Sequence, residues 1–217
     1  MKILNLYAGI GGNRKLWGDE HEVTAVEYKE EIAKIYQDFF PKDKVVIGDA
    51  HKYLLEHFQE FDFIWASPPC PSHSRVRLTA VASGQNKPIF PDMKLYEEIL
   101  FLQQYFKGKW VIENVIPWYE PLIKAKKIGG HLYWGNFIIP EMKGNGTREH
   151  DSGIEVLQKR KGFDLSKYST KTDKKLILRN CVEPEFGLHI LECATTKPQK
   201  TLFGSQILKS KSEVQHE

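Results

Sequence analysis

Short apolar runs alternate with stretches of helical spacing through the first half of the chain. Residues 2–8, KILNLYA, read as a strand that runs straight into a glycine turn, GIGG. HEVTAVEY reads as a second strand. The following stretch, KEEIAKIYQDFF, puts Ile32, Ile35, Tyr36 and Phe39 at helical spacing before Pro41 stops it. DKVVIGDA reads as a third strand, HKYLLEHF as a short helix and FDFIWAS as a fourth strand. A polar stretch rich in Gly, Ser and Pro follows. DMKLYEEILFLQQYF then repeats apolar residues at Leu95, Ile99, Leu102 and Phe106, as a long helix does, and GKWVIENV is a fifth strand. This rhythm predicts an α/β fold with a mostly parallel sheet and helices on both faces. Right-handed crossovers place all the strand C-termini on one edge, where such sheets bind ligands.

The rhythm breaks after Pro117. GGHLYWGNFIIP reads as one or two strands and MKGNGTREHDSG as a loop. The stretch up to Lys175 is polar, basic and without a clear period. CVEPEFGLHILECA predicts a short helix, QKTLFGSQILKS is a candidate for another, and SKSEVQHE reads as a frayed tail.

Composition narrows the class. The 217 residues suit one medium domain, long enough to bury roughly 70% of its unfolded surface without disulfide staples. The three cysteines, Cys70, Cys181 and Cys193, show no CxxC spacing, so neither a disulfide framework nor a metal site is expected, and the reduced interior of a cell, the cytoplasm, is the expected location. The first apolar stretch is too short for a secretory signal, and no run of eighteen apolar residues predicts a membrane span. A net charge of +3 does not by itself imply nucleic acid, but Lys124 to Lys175 holds twelve Lys or Arg against six Asp or Glu. Such a patch fits a phosphate backbone, or is simply a solvated lysine-rich surface.

Several strand ends carry groups with chemistry. Tyr7, Ala8, Gly9, Gly11 and Gly12 form a turn directly after the first strand, where glycines let a ligand approach the backbone. The spacing is not the dinucleotide GxGxxG. Glu27 ends the second strand, where a carboxylate can accept from ribose hydroxyls, and Asp49 ends the third, where it can meet an adenine edge. A helix cap or a surface charge is the alternative for each. Together they point to a nucleoside cofactor. The fourth strand ends in SPPCPSHSR, which sets Cys70 on a stiff proline platform with Ser74, Arg75 and Arg77 just beyond. The fifth strand ends in Glu113 and Asn114. Burial of Glu113 between Ile112 and Val115 would raise its pKa toward that of a proton donor. A nucleophile and an acid would then share one rim. His73 is a weaker candidate for a base acting on Cys70 than for a surface or phosphate contact.

These motifs carry a resemblance. YAGIGG, SPPCPSHS, VIENV and RNCVEPEFGLHI occur in the order found in the DNA cytosine-5 methyltransferases, across residues 4 to 191. The resemblance implies a Rossmann-like methyltransferase sheet with a reduced recognition insertion. It implies S-adenosyl-L-methionine as cofactor, with Tyr7, Gly9 and Gly11 beneath it, Glu27 on its ribose, Asp49 on its adenine and Asn180 sealing the pocket. It implies that Cys70 attacks C6 of a flipped cytosine while Glu113 holds N3, with Ser74, Arg75, Arg77 and Asn114 near the substrate. Arg75 and Arg77 would attract phosphate or stabilise a thiolate, and Leu78–Asp92 would close over the extruded base. The expected layout is a core at 1–128, a small basic recognition region at 129–175, a segment at 176–209 returning to the core and a disordered tail at 210–217.

The implied partner is double-stranded DNA, with no membrane. RNA, or a non-catalytic role as a nucleic-acid-binding accessory subunit, is the alternative. A cognate restriction endonuclease, as in restriction-modification, and a partner protein supplying specificity are the implied companions. The sequence departs from the pattern in three ways. Pro71 stands where a glutamine usually follows the cysteine. The arginine-x-arginine strand has no clear match: His131 and Tyr133 stand in roughly its place, and Gln158-Lys159-Arg160 is another candidate but lies after WGNF. The recognition region is only about fifty residues long.

Overall fold

The computed structural model describes residues 1–142 and 153–196. Five strands, β1 (Lys2–Leu6), β2 (Glu22–Glu27), β3 (Lys44–Ile47), β4 (Phe63–Ala66) and β5 (Lys109–Val115), run parallel. A hairpin of β6 (Lys126–Ile128) and β7 (His131–Gly135) completes the sheet, with β7 antiparallel to β5. The order β3-β2-β1-β4-β5-β7-β6 reverses direction between β1 and β4, the position at which doubly wound sheets open a crevice for ligands.

Alternation along the strands feeds two faces. Leu4, Leu6, Ile64, Ala66 and Ile112 join one core with α2 (Ala50–His57) and α4 (Lys94–Tyr105). On the other face, Ile3, Val23, Phe63, Trp65 and Val111 pack with Trp17 and with α7 (Pro184–Thr195). Ala25 on the same face meets α1 (Glu30–Phe39). Burial on both faces explains why these strands read as near-continuous apolar runs.

Three helices occupy stretches for which the sequence pattern predicts none. The polar stretch after Cys70 forms α3 (Arg75–Ala82), capped by Ser74, whose hydroxyl accepts from the Val76 amide. Its apolar side chains are largely exposed, so no amphipathic stripe marks it. The basic region forms α5 (Ile154–Lys161) and α6 (Lys174–Arg179). Leu157, Phe163, Leu165, Ile177 and Leu178 from this region are buried against Ile32, Ile35 and Tyr36 of α1. The expected boundary at 128/129 therefore falls inside the β6–β7 hairpin, and the described part of 129–175 is built into the sheet and its helical cover.

The basic patch is also partly structural. Lys161 is buried with its ammonium 2.8 Å from Glu183, and Arg160 pairs with the same carboxylate. Lys126 and Lys127 remain exposed on β6, where lysines discourage edge-to-edge pairing. The expected helix over 199–210 and the tail lie outside the described residues. Among the described residues, no helix is long and apolar enough to cross a membrane, and no cluster of ligating side chains could hold a metal.

Candidate active site at the strand C-termini

The glycine turn is held from several sides. Tyr7 adopts a left-handed φ of 56°, and Gly9 and Gly11 follow at 55° and 88°. The Ala8 amide donates to Val26 O at 3.0 Å and the Gly9 amide to Glu27 Oε2 at 3.0 Å. A side chain at Gly9 would meet no atom within 4 Å, so the backbone there is open to a ligand. Gly11 and Gly12 differ. A Cβ at Gly11 would lie 2.3 Å from the Phe40 ring, and one at Gly12 would lie 2.5 Å from Val182 O. Their missing side chains make room for protein on the Cβ side of the turn.

Glu27 is half-buried, and each of its oxygens accepts one amide, from Gly9 and from Lys29. Each oxygen keeps a lone pair for a hydroxyl group. Asp49 caps α2 by accepting from the His51 and Lys52 amides, and these bonds, Lys52 first, hold its carboxyl below the usual range. It caps the helix through Oδ1, while Oδ2 faces Lys94 at 3.8 Å. Gly48 has open space where a side chain would be. Tyr28 is 77% exposed and Ile47, opposite Glu27 in the β2–β3 register, is 55% exposed. An open backbone, a carboxylate and two exposed apolar side chains at adjacent strand ends fit an adenosyl group. Sequence reading passed over Tyr28 and Ile47 because exposure of a strand-end residue leaves no mark in the pattern.

The C-terminal segment returns to this turn. Gly187 packs so closely on Asn13 that a Cβ would fall 2.2 Å from its carbonyl oxygen, and the Trp17 indole donates to Gly187 O at 3.0 Å. Asn180 ends α6 and is exposed, next to the buried Cys181 that touches Gly12.

Cys70 lies beyond the C-terminal end of β4, and Glu113 lies near the C-terminal end of the adjacent β5, one residue past the last pair with β4. Cys70 is half-buried, and burial first, then the Glu113 charge, pushes its thiol up. Glu113 is buried, and His131 Nε2 stands 3.5 Å from its Oε1. Asn114 ties the two strand ends together by donating to Pro68 O at 2.9 Å.

The loop after Cys70 is firmly anchored. The His73 and Ser74 amides donate to Cys70 O, the Trp118 amide to His73 O and its indole to Ser72 O. His73 is 1% exposed, and its Nδ1 lies 2.6 Å from the Tyr119 hydroxyl. A surface or phosphate contact by His73 is thereby overturned, and burial holds its pKa down. Arg75 donates to Pro117 O and Arg77 to Lys87 O, and neither holds the thiol down. The expectation that these arginines stabilise a thiolate is not met, because both guanidinium groups are turned to carbonyls. Val76, Leu78, Ile89 and Phe90 leave the stretch after Cys70 with apolar side chains exposed.

A family model described as C-5 cytosine-specific DNA methylase matches residues 1–115. No curated protein matches. Among solved structures, a mutant DNMT2 of Spodoptera frugiperda is similar at 25% identity and a TM-score of 0.38, over 52% of this chain and 35% of that one. The Entamoeba histolytica methyltransferase EhMeth is similar at 17% identity and a TM-score of 0.35, over 53% and 38% respectively. A conserved hypothetical protein of Streptococcus pyogenes is similar at 16% identity and a TM-score of 0.37, over 62% and 85%. The match thus spans little more than a third of the length of the first two. The sheet is that of an S-adenosylmethionine-dependent methyltransferase. The family match takes in more than half of the 217 residues and every strand end from Tyr7 to Val115, so the chain belongs to the C-5 cytosine-specific DNA methylases.

Proposed function

We propose that this chain transfers a methyl group to C5 of cytosine in DNA through a covalent adduct with Cys70. The observation that carries the reading is the pairing of a half-buried thiol with a buried carboxylate at neighbouring strand ends, close enough for the Glu113 charge to act on Cys70. Glu27, Asp49 and the open backbone at Gly9 would hold S-adenosylmethionine, which would supply an electrophilic methyl group. The residues do the rest. As sulfur bonds to C6 the thiol gives up its proton to the ionised Glu113 carboxylate, which passes it on to N3, so the addition balances. The ring then carries electron density at C5. After methylation, loss of the C5 proton to solvent expels the sulfur, and the N3 proton returns to Glu113. In the resting site the same carboxylate keeps the thiol protonated, so the nucleophile forms only when a ring is present to take the proton.

RNA is the second reading, and one observation favours it. The described residues of 129–175 pack into the core and leave no separate unit for reading a groove. An unpaired cytosine in an RNA loop needs little flipping work and no groove contact. On DNA, the same feature implies a short target, a relaxed preference, or a partner protein that supplies specificity.

Mass spectrometry of the protein after incubation with cofactor and 5-fluorocytosine DNA tests the chemistry. An adduct located at Cys70 supports the reading, and cofactor binding without any adduct, on DNA or RNA, supports an accessory subunit instead. Competing DNA and RNA in one labelled-methyl assay decides the polymer.

A further inference from the structure

One buried carboxylate has no part in the chemistry at Cys70. Glu98 of α4 is 0% exposed. Its Oε1 accepts from the Tyr7 hydroxyl at 2.5 Å and lies 3.0 Å from Nδ1 of His51. Its Oε2 is buried without a hydrogen-bond partner among the described residues. A buried charge is retained where its partners compensate it. Tyr7 is the left-handed residue that opens the glycine turn, and His51 sits in the first turn of α2, two residues after Asp49. A non-glycine residue keeps such a conformation only when its surroundings enforce it. Glu98 therefore ties together the two walls of the adenosyl cradle from behind.

We propose that Glu98 and His51 are positioning residues of the S-adenosylmethionine site, fixing the Tyr7 turn against α2 and making cofactor affinity depend on pH. The inference rests on the cofactor site alone and stands or falls independently of the adduct at Cys70.

The hydrogen bond to Glu98 raises the His51 pKa against the opposing effect of burial. A raised histidine pKa gives a contribution that is complete below the ordinary value and lost as pH rises through the folded-state value. The other charges facing His51 are Glu97, 3.7 Å from Nε2, and Lys94, both on α4, with Asp49 at the head of its own helix. The Tyr7 hydroxyl, held protonated by burial and then by Glu98, remains a donor throughout.

The test is calorimetric titration of the full chain with S-adenosylmethionine from about pH 6 to about pH 9, the range that brackets a histidine. Wild-type affinity is expected to fall severalfold as pH rises across that range, because loss of the His51 proton weakens its hold on Glu98 and loosens the Tyr7 turn. His51→Ala and Glu98→Gln should bind weakly and keep only the pH dependence that comes from titration of the cofactor itself, which is common to all three. A His51→Ala profile that parallels the wild type, or Glu98→Gln binding as tightly as wild type, overturns the proposal. If Glu98→Gln does not fold, His51→Ala, at a partly exposed position, carries the test.

Discussion

His131 Nε2 stands 3.5 Å from Glu113 Oε1, across the antiparallel β5–β7 pair. Glu113 faces Tyr133 in the register, and His131 lies two residues further along the same face. The imidazole is half-exposed while the carboxylate is buried. A partial positive charge beside one oxygen favours the ionised carboxylate and restricts its rotation. A half-exposed ion pair at this distance contributes about 0–1 kcal/mol, so His131→Ala should slow adduct formation by no more than about fivefold. Cofactor affinity, measured by calorimetry, should be unchanged, and His131→Arg should restore part of the rate.

The thiol of Cys70 is raised by burial and by the charge of Glu113, in that order. The thiolate fraction, and with it the alkylation rate by iodoacetamide, should rise only at pH above the ordinary thiol range. Glu113→Gln removes the like charge and lowers the thiol pKa toward its ordinary value. That variant should alkylate faster than wild type near neutral pH while methyl transfer falls by about a hundredfold or more. Slower alkylation in Glu113→Gln would count against the electrostatic coupling.

Cys70→Ala should abolish the adduct with 5-fluorocytosine DNA and leave cofactor binding intact. The proposed adenosyl cradle lies at the ends of β1, β2 and β3, so losing one sulfur after β4 does not reach it.

Arg14 and Asp43 form a buried bidentate pair at 2.9 and 3.0 Å, and Tyr36 donates to the same carboxylate at 2.8 Å. Arg14→Ala leaves Asp43 buried without its cation and should destabilise the fold by about 3–5 kcal/mol in chemical denaturation. Simultaneous replacement of Arg14 and Asp43 by apolar residues of similar volume should recover much of that loss.

Gly12→Ala places a methyl group against Val182 O and the Cys181 side chain, at 2.5 and 2.8 Å. Neither neighbour is the end of a flexible side chain. The substitution should cost about 1–3 kcal/mol of stability and weaken cofactor binding by pushing the C-terminal segment off the turn. An alanine variant with wild-type denaturation and affinity removes this segment from the site.

The parallel core was legible because strands buried on both faces and helices with one apolar stripe leave period and punctuation in the sequence. The strand from Lys2 to Leu6 and the helix from Lys94 to Tyr105 lie where the pattern puts them. The helix from Arg75 to Ala82 was not legible, because Val76 and Leu78 are exposed and mark no buried stripe. The helices from Ile154 to Lys161 and from Lys174 to Arg179 were hidden by their lysines. Lys161 turns inward to Glu183, an arrangement that composition reads as surface.

The sequence by itself determined the order of the strands' end groups, because each follows an apolar run and precedes a turn: the glycine turn, Glu27, Asp49, Cys70 and Glu113. It also determined the family, whose motifs are local. Only the tertiary structure decided which of these groups touch. Glu98 meets Tyr7 and His51 across 91 and 47 residues of chain, and His131 reaches Glu113 only because β7 returns antiparallel. Local periodicity records which face of an element is buried. It does not record which buried or rim group will be its neighbour, since that depends on packing between elements distant in the chain.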